Sequence, residues 1–222
     1  MIWVYAITDG GAGPVPEVAG IEDTPVESIA AGGLAAAVSR HAEPPSALGE
    51  EALWAHERVV ERLMADRAVL PMNFGTMLAA DADLERALAA RRDAFAAALD
   101  RVRGRVELGL RVVSPDAGAA PAPDKPVSGR DYVYAKVARS RAADAVHEPL
   151  AGMAIDARRR VPRTADGEVL RAAYLVERDA VEHFRATVER LAETSGGLAL
   201  LCTGPWPPYA FVEAPDHEPV AR

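Results

Sequence analysis

Apolar and polar positions alternate along this chain in two different periods, and the switches between them mark the elements. Ile2 to Thr8 is rich in β-branched and aromatic residues and reads as a strand. Gly33 to Val38 offers a second candidate strand. From Glu50 to Asp66 the period lengthens to that of a helix. Leu53, His56, Val60, Leu63 and Met64 share one face, while Glu57, Arg58, Glu61 and Arg62 fall largely off it. A short strand is expected over Val69 to Met72. A helix then follows with Asp83 as its N-cap and a stripe of Leu84, Leu88, Phe95, Leu99 and Val102, ended by Gly104.

Val106 to Val113 alternates strictly, with Val106, Leu108, Leu110 and Val112 on one side, as a half-buried strand does. The segment from Ser114 to Pro126 carries four prolines among small residues and reads as a loop or linker. Gly129 to Arg160 is mixed. Tyr132-Val133-Tyr134 favours strand and the Ala- and Arg-rich remainder favours helix; the balance falls to helix, with Pro149 as a break or kink. Val169 to Val176 reads as a central strand. Asp179 to Thr194 is a helix with Val181, Phe184, Val188 and Leu191 on its apolar face, stopped by Gly196-Gly197. Leu198 to Cys202 is a strand. Gly204 and the prolines at 205, 207 and 208 then stop its pairing, and Tyr209 to Val212 reads as a further strand beyond a stiff, Trp-bearing corner.

Strands and helices mix in both halves, which makes the fold class α+β. Two α+β domains are expected. An N-terminal one covers 1–104. A C-terminal one, a modified ferredoxin-like sandwich, covers 105–213 and includes the Pro-rich loop 114–127. A disordered tail covers 214–222.

Composition narrows the function classes. A net charge of −8 argues against broad binding to nucleic acid or to an anionic membrane. Half of the residues are hydrophobic, yet no apolar run approaches the roughly 18–20 residues needed to span a bilayer. Met1-Ile2-Trp3-Val4-Tyr5 has no basic region of the signal-peptide kind, so a cytoplasmic location is expected. The single cysteine, Cys202, excludes an internal disulfide framework and reads as a small core residue.

Candidate chemistry is sparse. Asp9-Gly10-Gly11-Ala12-Gly13 lacks the spacing of a phosphate-binding loop. The five histidines include no pair at metal-binding helical spacing; beside Glu182, Asp179 reads as a cap and His183 as a core flank rather than as ligands. His56, inside an apolar stripe, reads as a core-edge residue bonded to a backbone carbonyl. Arg158-Arg159-Arg160 with Arg163 reads either as a solvated basic cluster or as a dock for an acidic partner segment. No catalytic residue, cofactor site or metal site is expected.

Two segments carry a resemblance. Val69-Leu70-Pro71-Met72-Asn73-Phe74-Gly75-Thr76 and Thr203-Gly204-Pro205-Trp206-Pro207-Pro208-Tyr209-Ala210-Phe211-Val212, with His56-Glu57-Arg58-Val59-Val60 shortly before the first, resemble the signature segments of the gas vesicle synthesis protein GvpL/GvpF family. The similarity extends over roughly residues 1 to 213. Asn73 departs from it, since the family commonly has arginine there, and the stretch 114–165 is shorter and richer in proline than the family's long helical segment. The resemblance implies a non-enzymatic accessory protein for gas vesicle assembly, located in the cytoplasm or on the vesicle. Its implied partners are the hydrophobic shell protein and other accessory proteins. Met72, Phe74, Met77, Trp206, Tyr209 and Phe211 are the candidate partner-binding residues, because aromatic and methionine anchors suit interface centres. The alternative reading of the two segments is that they pack the fold. The alternative function is a small-ligand-binding regulatory α+β module.

Overall fold

The computed structural model describes residues 1–45, 48–114, 129–163 and 167–212. The Pro-rich loop expected over 114–127 and the tail expected over 214–222 therefore lie, apart from Ser114, outside the described residues. The chain divides into two compact units, one of Met1–Gly104 with the residues from Pro207 on, the other of Arg105–Trp206. The second domain was expected to run to 213, but the segment after Trp206 packs into the first unit.

The first unit is built on an antiparallel sheet. Its strands are β1 (Ile2–Asp9), β2 (Val26–Ala31), β3 (Leu34–Arg40), β4 (Val69–Pro71) and β5 (Met77–Leu78), in the order β2-β3-β1-β4 with β5 also on β1. Helix α1 (Glu50–Met64) packs against β1 and β4, α2 (Asp81–Ala90) against β2, and α3 (Arg92–Val102) against β4 and β1. Ile2, Val4 and Ile7 of β1 join Leu70, Leu84, Leu88, Phe95 and Leu99 in one core. Trp3 and Tyr5 are buried on the α1 side. Burial on both faces is why this strand is apolar without a break.

Four readings of this unit need correction. β2 was not anticipated, because Ile29 is its only fully buried residue and its pattern is too weak to read. The single helix expected after Asp83 is two, broken at Arg91 (φ −117°, ψ 18°). Asp83 lies inside α2, and its carboxylate accepts from the backbone N–H of Ala80, the actual N-cap. Leu53 lies outside the buried face of α1, which consists of Ala52, Ala55, His56, Val59, Val60, Leu63 and Met64.

The second unit runs β6 (Arg105–Val113), α4 (Gly129–Met153), β7 (Asp156–Arg160), β8 (Glu168–Glu177), α5 (Val181–Thr194) and β9 (Ala199–Trp206). Its sheet is antiparallel in the order β7-β8-β6-β9. A β-α-β-β-α-β chain in that order is the ferredoxin-like split βαβ arrangement. Tyr174 of β8 meets His147 of α4 and Phe184 of α5, so both helices cover one face.

Here too the pattern misled in places. The helical reading of 129–160 holds only to Met153, and the helix continues through Pro149 without breaking. Residues 156–160 form an edge strand, because pairing with β8 overrides a helix-favouring composition. β9 keeps its pairing to Trp206, opposite Glu107, with a register shift before it. It lies at the sheet edge, where a proline's missing N–H is tolerated. Tyr209–Phe211 is a 3-10 turn, not a strand. Cys202 is half-buried rather than a core residue, and burial raises its thiol pKa.

Candidate functional site

A buried polar cluster of the first unit surrounds His56. The indole N–H of Trp3 donates to His56 Nδ1 at 3.0 Å, and His56 Nε2 lies 3.1 Å from the Met72 carbonyl. A carbonyl only accepts, so Nε2 carries the proton and Nδ1 is the bare acceptor. The ring is neutral, fully buried, and edge-on to Phe74. Burial pulls its pKa down to about 4, opposed only by the Met72 bond. The expected backbone partner is there; Trp3, 53 positions away, is the added one.

Phe74 also stands edge-on to Trp3, with ring centroids 5.2 Å apart. It sits in a turn closed by Thr76, whose N–H and hydroxyl both donate to the Asn73 carbonyl. Gly75 has φ 89°, in the left-handed region, where a Cβ would be strained. Asn73 itself is exposed, and these turn bonds use only its backbone carbonyl.

A second polar chain runs beside the first. The register of β1 against β3 shifts around Tyr5, whose hydroxyl lies 2.8 Å from Ser39 Oγ and accepts from the Ile21 N–H. Tyr5 in turn donates to Ser39, and Ser39 to His41 Nε2, the one assignment that uses every hydroxyl proton. Burial raises the Tyr5 pKa.

The segment after Trp206 closes this unit from outside. Tyr209 donates its hydroxyl to Glu57 of α1 at 2.8 Å. Phe211 is buried and lines a groove of about 280 Å³ with Leu70, Phe95 and Val212, flanked by Arg91 and Arg101. One short turn thus reaches both α1 and α3. Burial raises the Glu57 pKa, the Tyr209 bond pulls it back, and Glu61 adds to the rise.

The six candidate docking residues therefore have different environments. Met72 and Phe211 are buried. Phe74, Met77 and Tyr209 are half-buried within the unit. Trp206, on β9, is the only exposed one, at 41%. The structure adds an apolar feature that the periodicity hid. Leu53 and Trp54 stand exposed on α1 at 39% and 54%, preceded by exposed Leu48. Glu50 accepts the Trp54 indole N–H at 3.2 Å. Trp54 left no signal in the sequence, because one tryptophan beside an apolar stripe looks like part of the core. His183 is exposed and does not flank the core. Among the described residues no group of three or more His, Cys, Asp or Glu side chains is arranged to hold a metal ion.

Of the segments that carry the resemblance, 56–60 and 69–76 lie in the first unit, while 203–212 is divided between the two, with Thr203–Trp206 on β9 and the rest in the first. The family model for the gas vesicle synthesis protein GvpL/GvpF matches residues 1–125 and 134–213. The chain belongs to that family. Gas vesicle protein L of Streptomyces sp. (strain CB03234) is 28% identical, with 97% of this chain and 94% of that one covered. Gas vesicle protein F of the same strain is 30% identical, over 95% of this chain and 99% of its own. The crystal structure of the gas vesicle protein GvpF from Anabaena sp. PCC7120 superposes with a TM-score of 0.83 over 99% of both chains, at 18% identity. The mixed α+β fold is thus the fold of that GvpF. No helix among the described residues is long and apolar enough to cross a membrane.

Proposed function

We propose that this protein is a non-enzymatic assembly factor of the gas vesicle, which binds the hydrophobic shell protein and other accessory proteins during nucleation or growth of the shell. It acts in the cytoplasm, at the growing vesicle. A subunit that walls off a gas space carries large apolar surface and aggregates unless that surface is covered before assembly. Membership of the GvpL/GvpF family supports this setting.

The observation that carries the reading is the exposed Leu53–Trp54 pair on α1. The face they share also carries Glu50, Glu57 and Glu61, which favours an apolar partner segment flanked by basic residues. Burying such a pair contributes roughly 2–3 kcal/mol per side chain, enough to anchor a transient complex. Trp206 is a second docking residue in this reading, on its own unit. Co-expression with the shell protein, followed by pull-down, tests it. The wild-type chain retains the subunit; a Leu53→Ser/Trp54→Ser variant with an unchanged melting temperature loses it. Normal floating vesicles in a strain deleted for this gene would end the proposal.

A further inference from the structure

The second unit has a row of arginines that neither its core nor its helices explain. Pairing of β7 with β8 sets Arg160 opposite Arg171, and pairing of β8 with β6 sets Arg171 opposite Arg111. By alternation these side chains lie on the sheet face away from Tyr174 and Arg159, which meet α5 and α4. Strands lie about 4.8 Å apart, so three guanidinium groups occupy a row about 10 Å long. Like charges directly opposite one another are destabilising.

Among the described residues one carboxylate meets the row. Glu168, whose side chain is fully buried, accepts from Arg111 Nε, from Arg171 Nε and Nη2, and from the Arg163 backbone N–H. Each of its oxygens then holds two donors, which fills its lone pairs. It offers nothing to Arg160, which is exposed and has no carboxylate partner among the described residues. Among the described residues, three arginines against one glutamate leave a surplus of two positive charges on a chain whose net charge is −8. Guarding a sheet edge with charge would explain Arg160 on β7. It does not explain Arg111 and Arg171 on the two interior strands.

We propose that this row is the docking site for an acidic segment of a partner protein, whose carboxylates pair with Arg160 and with the outward N–H groups of Arg111 and Arg171. The guanidinium fork matches a planar carboxylate. The surplus suits two or three anionic side chains, whereas the net negative charge of the chain repels a long polyanion such as nucleic acid. The site is independent of the apolar pair on α1.

The test is a fluorescence-anisotropy titration of a labelled alternating Glu-Ala peptide with the full chain, at low and high salt. Binding that weakens with salt is expected, about tenfold weaker for Arg160→Glu. Arg141→Glu, at an exposed position on α4, should match wild type. Arg160→Glu also relieves like-charge repulsion, so its melting temperature should be no lower than wild type. Equal binding by Arg160→Glu and wild type, binding without salt dependence, no binding at all, or tighter binding of a single-stranded oligonucleotide than of the peptide would each overturn the proposal.

Discussion

Trp3 and His56 share one hydrogen bond of 3.0 Å, with the indole as donor and Nδ1 as acceptor. That bond requires the neutral imidazole. Protonation would set a second N–H against the indole N–H inside the core, where neither could turn to water.

A pH dependence follows. In the unfolded chain His56 titrates near its ordinary 6.5, and in the folded one near 4. Between those values the unfolded state binds more protons, so stability rises with pH across that window. The contribution is complete above about 6.5 and lost as pH falls to about 4, with a size of about 3 kcal/mol at most. Chemical denaturation from pH 7 to pH 4 measures it. His56→Gln keeps a donor for the Met72 carbonyl and lacks the titrating ring. It should be less stable at pH 7 and show a flatter pH profile over this window.

Tyr209→Phe tests the clasp between the C-terminal turn and α1. The variant leaves the half-buried Glu57 carboxylate without its hydroxyl donor, so the already raised Glu57 pKa rises further. A group whose folded pKa lies above its unfolded one destabilises the fold as pH rises through its titration. The loss should therefore be about 1–2 kcal/mol at pH 7 and shrink on acidification. Carbon-detected NMR titration of Glu57, beside melting curves at two pH values, reads both effects.

These two contacts mark where the sequence was legible and where it was not. α1, β6 and α5 could be read because each buries a repeating apolar set with the period of its element, and β1 and β8 because each carries an apolar run buried on both faces. β7 could not, because Asp156–Arg160 buries no side chain fully, so its pairing with β8 leaves no apolar period in the sequence. His56 was legible as a buried, carbonyl-bonded histidine. Its Trp3 partner and the Tyr209–Glu57 bond span 53 and 152 positions, and no local pattern encodes such distances. The family resemblance joined those segments without saying what they do to one another.

Glu168→Gln tests the charge balance of the second sheet. The Arg171 bonds, with the Arg163 N–H and Arg111, hold the Glu168 pKa down to about 2. Its contribution is present above the ordinary carboxylate value and lost as pH falls towards 2. The glutamine leaves Arg111 facing Arg171 without a counter-charge. A loss of about 1–3 kcal/mol at pH 7 is expected, discounted for the partial solvent exposure of both arginines. Added salt should recover part of it by screening the repulsion. A variant equally destabilised at every ionic strength would instead assign Glu168 a purely hydrogen-bonding role.

Gly20→Ala tests the Tyr5 chain from the backbone side. An added Cβ at residue 20 would lie 2.2 Å from the Tyr5 hydroxyl and 3.1 Å from a Val26 methyl. The hydroxyl cannot retreat freely, because it accepts from Ile21 N–H and bonds Ser39, each at 2.8 Å. Relief therefore means breaking one of those buried bonds or shifting the segment that leads into β2. A cost of about 2–4 kcal/mol is expected, the sum of a lost buried hydrogen bond and overpacking. Tyr5→Phe removes the shortest of these contacts, leaving the ring Cζ 3.0 Å from the added methyl, at its own cost of about 1–2 kcal/mol. The Gly20→Ala/Tyr5→Phe double variant should then be more stable than the sum of the two single losses. A thermodynamic cycle over the four proteins measures that coupling, and strictly additive losses would mean that the Tyr5 hydroxyl is not what makes glycine necessary at residue 20.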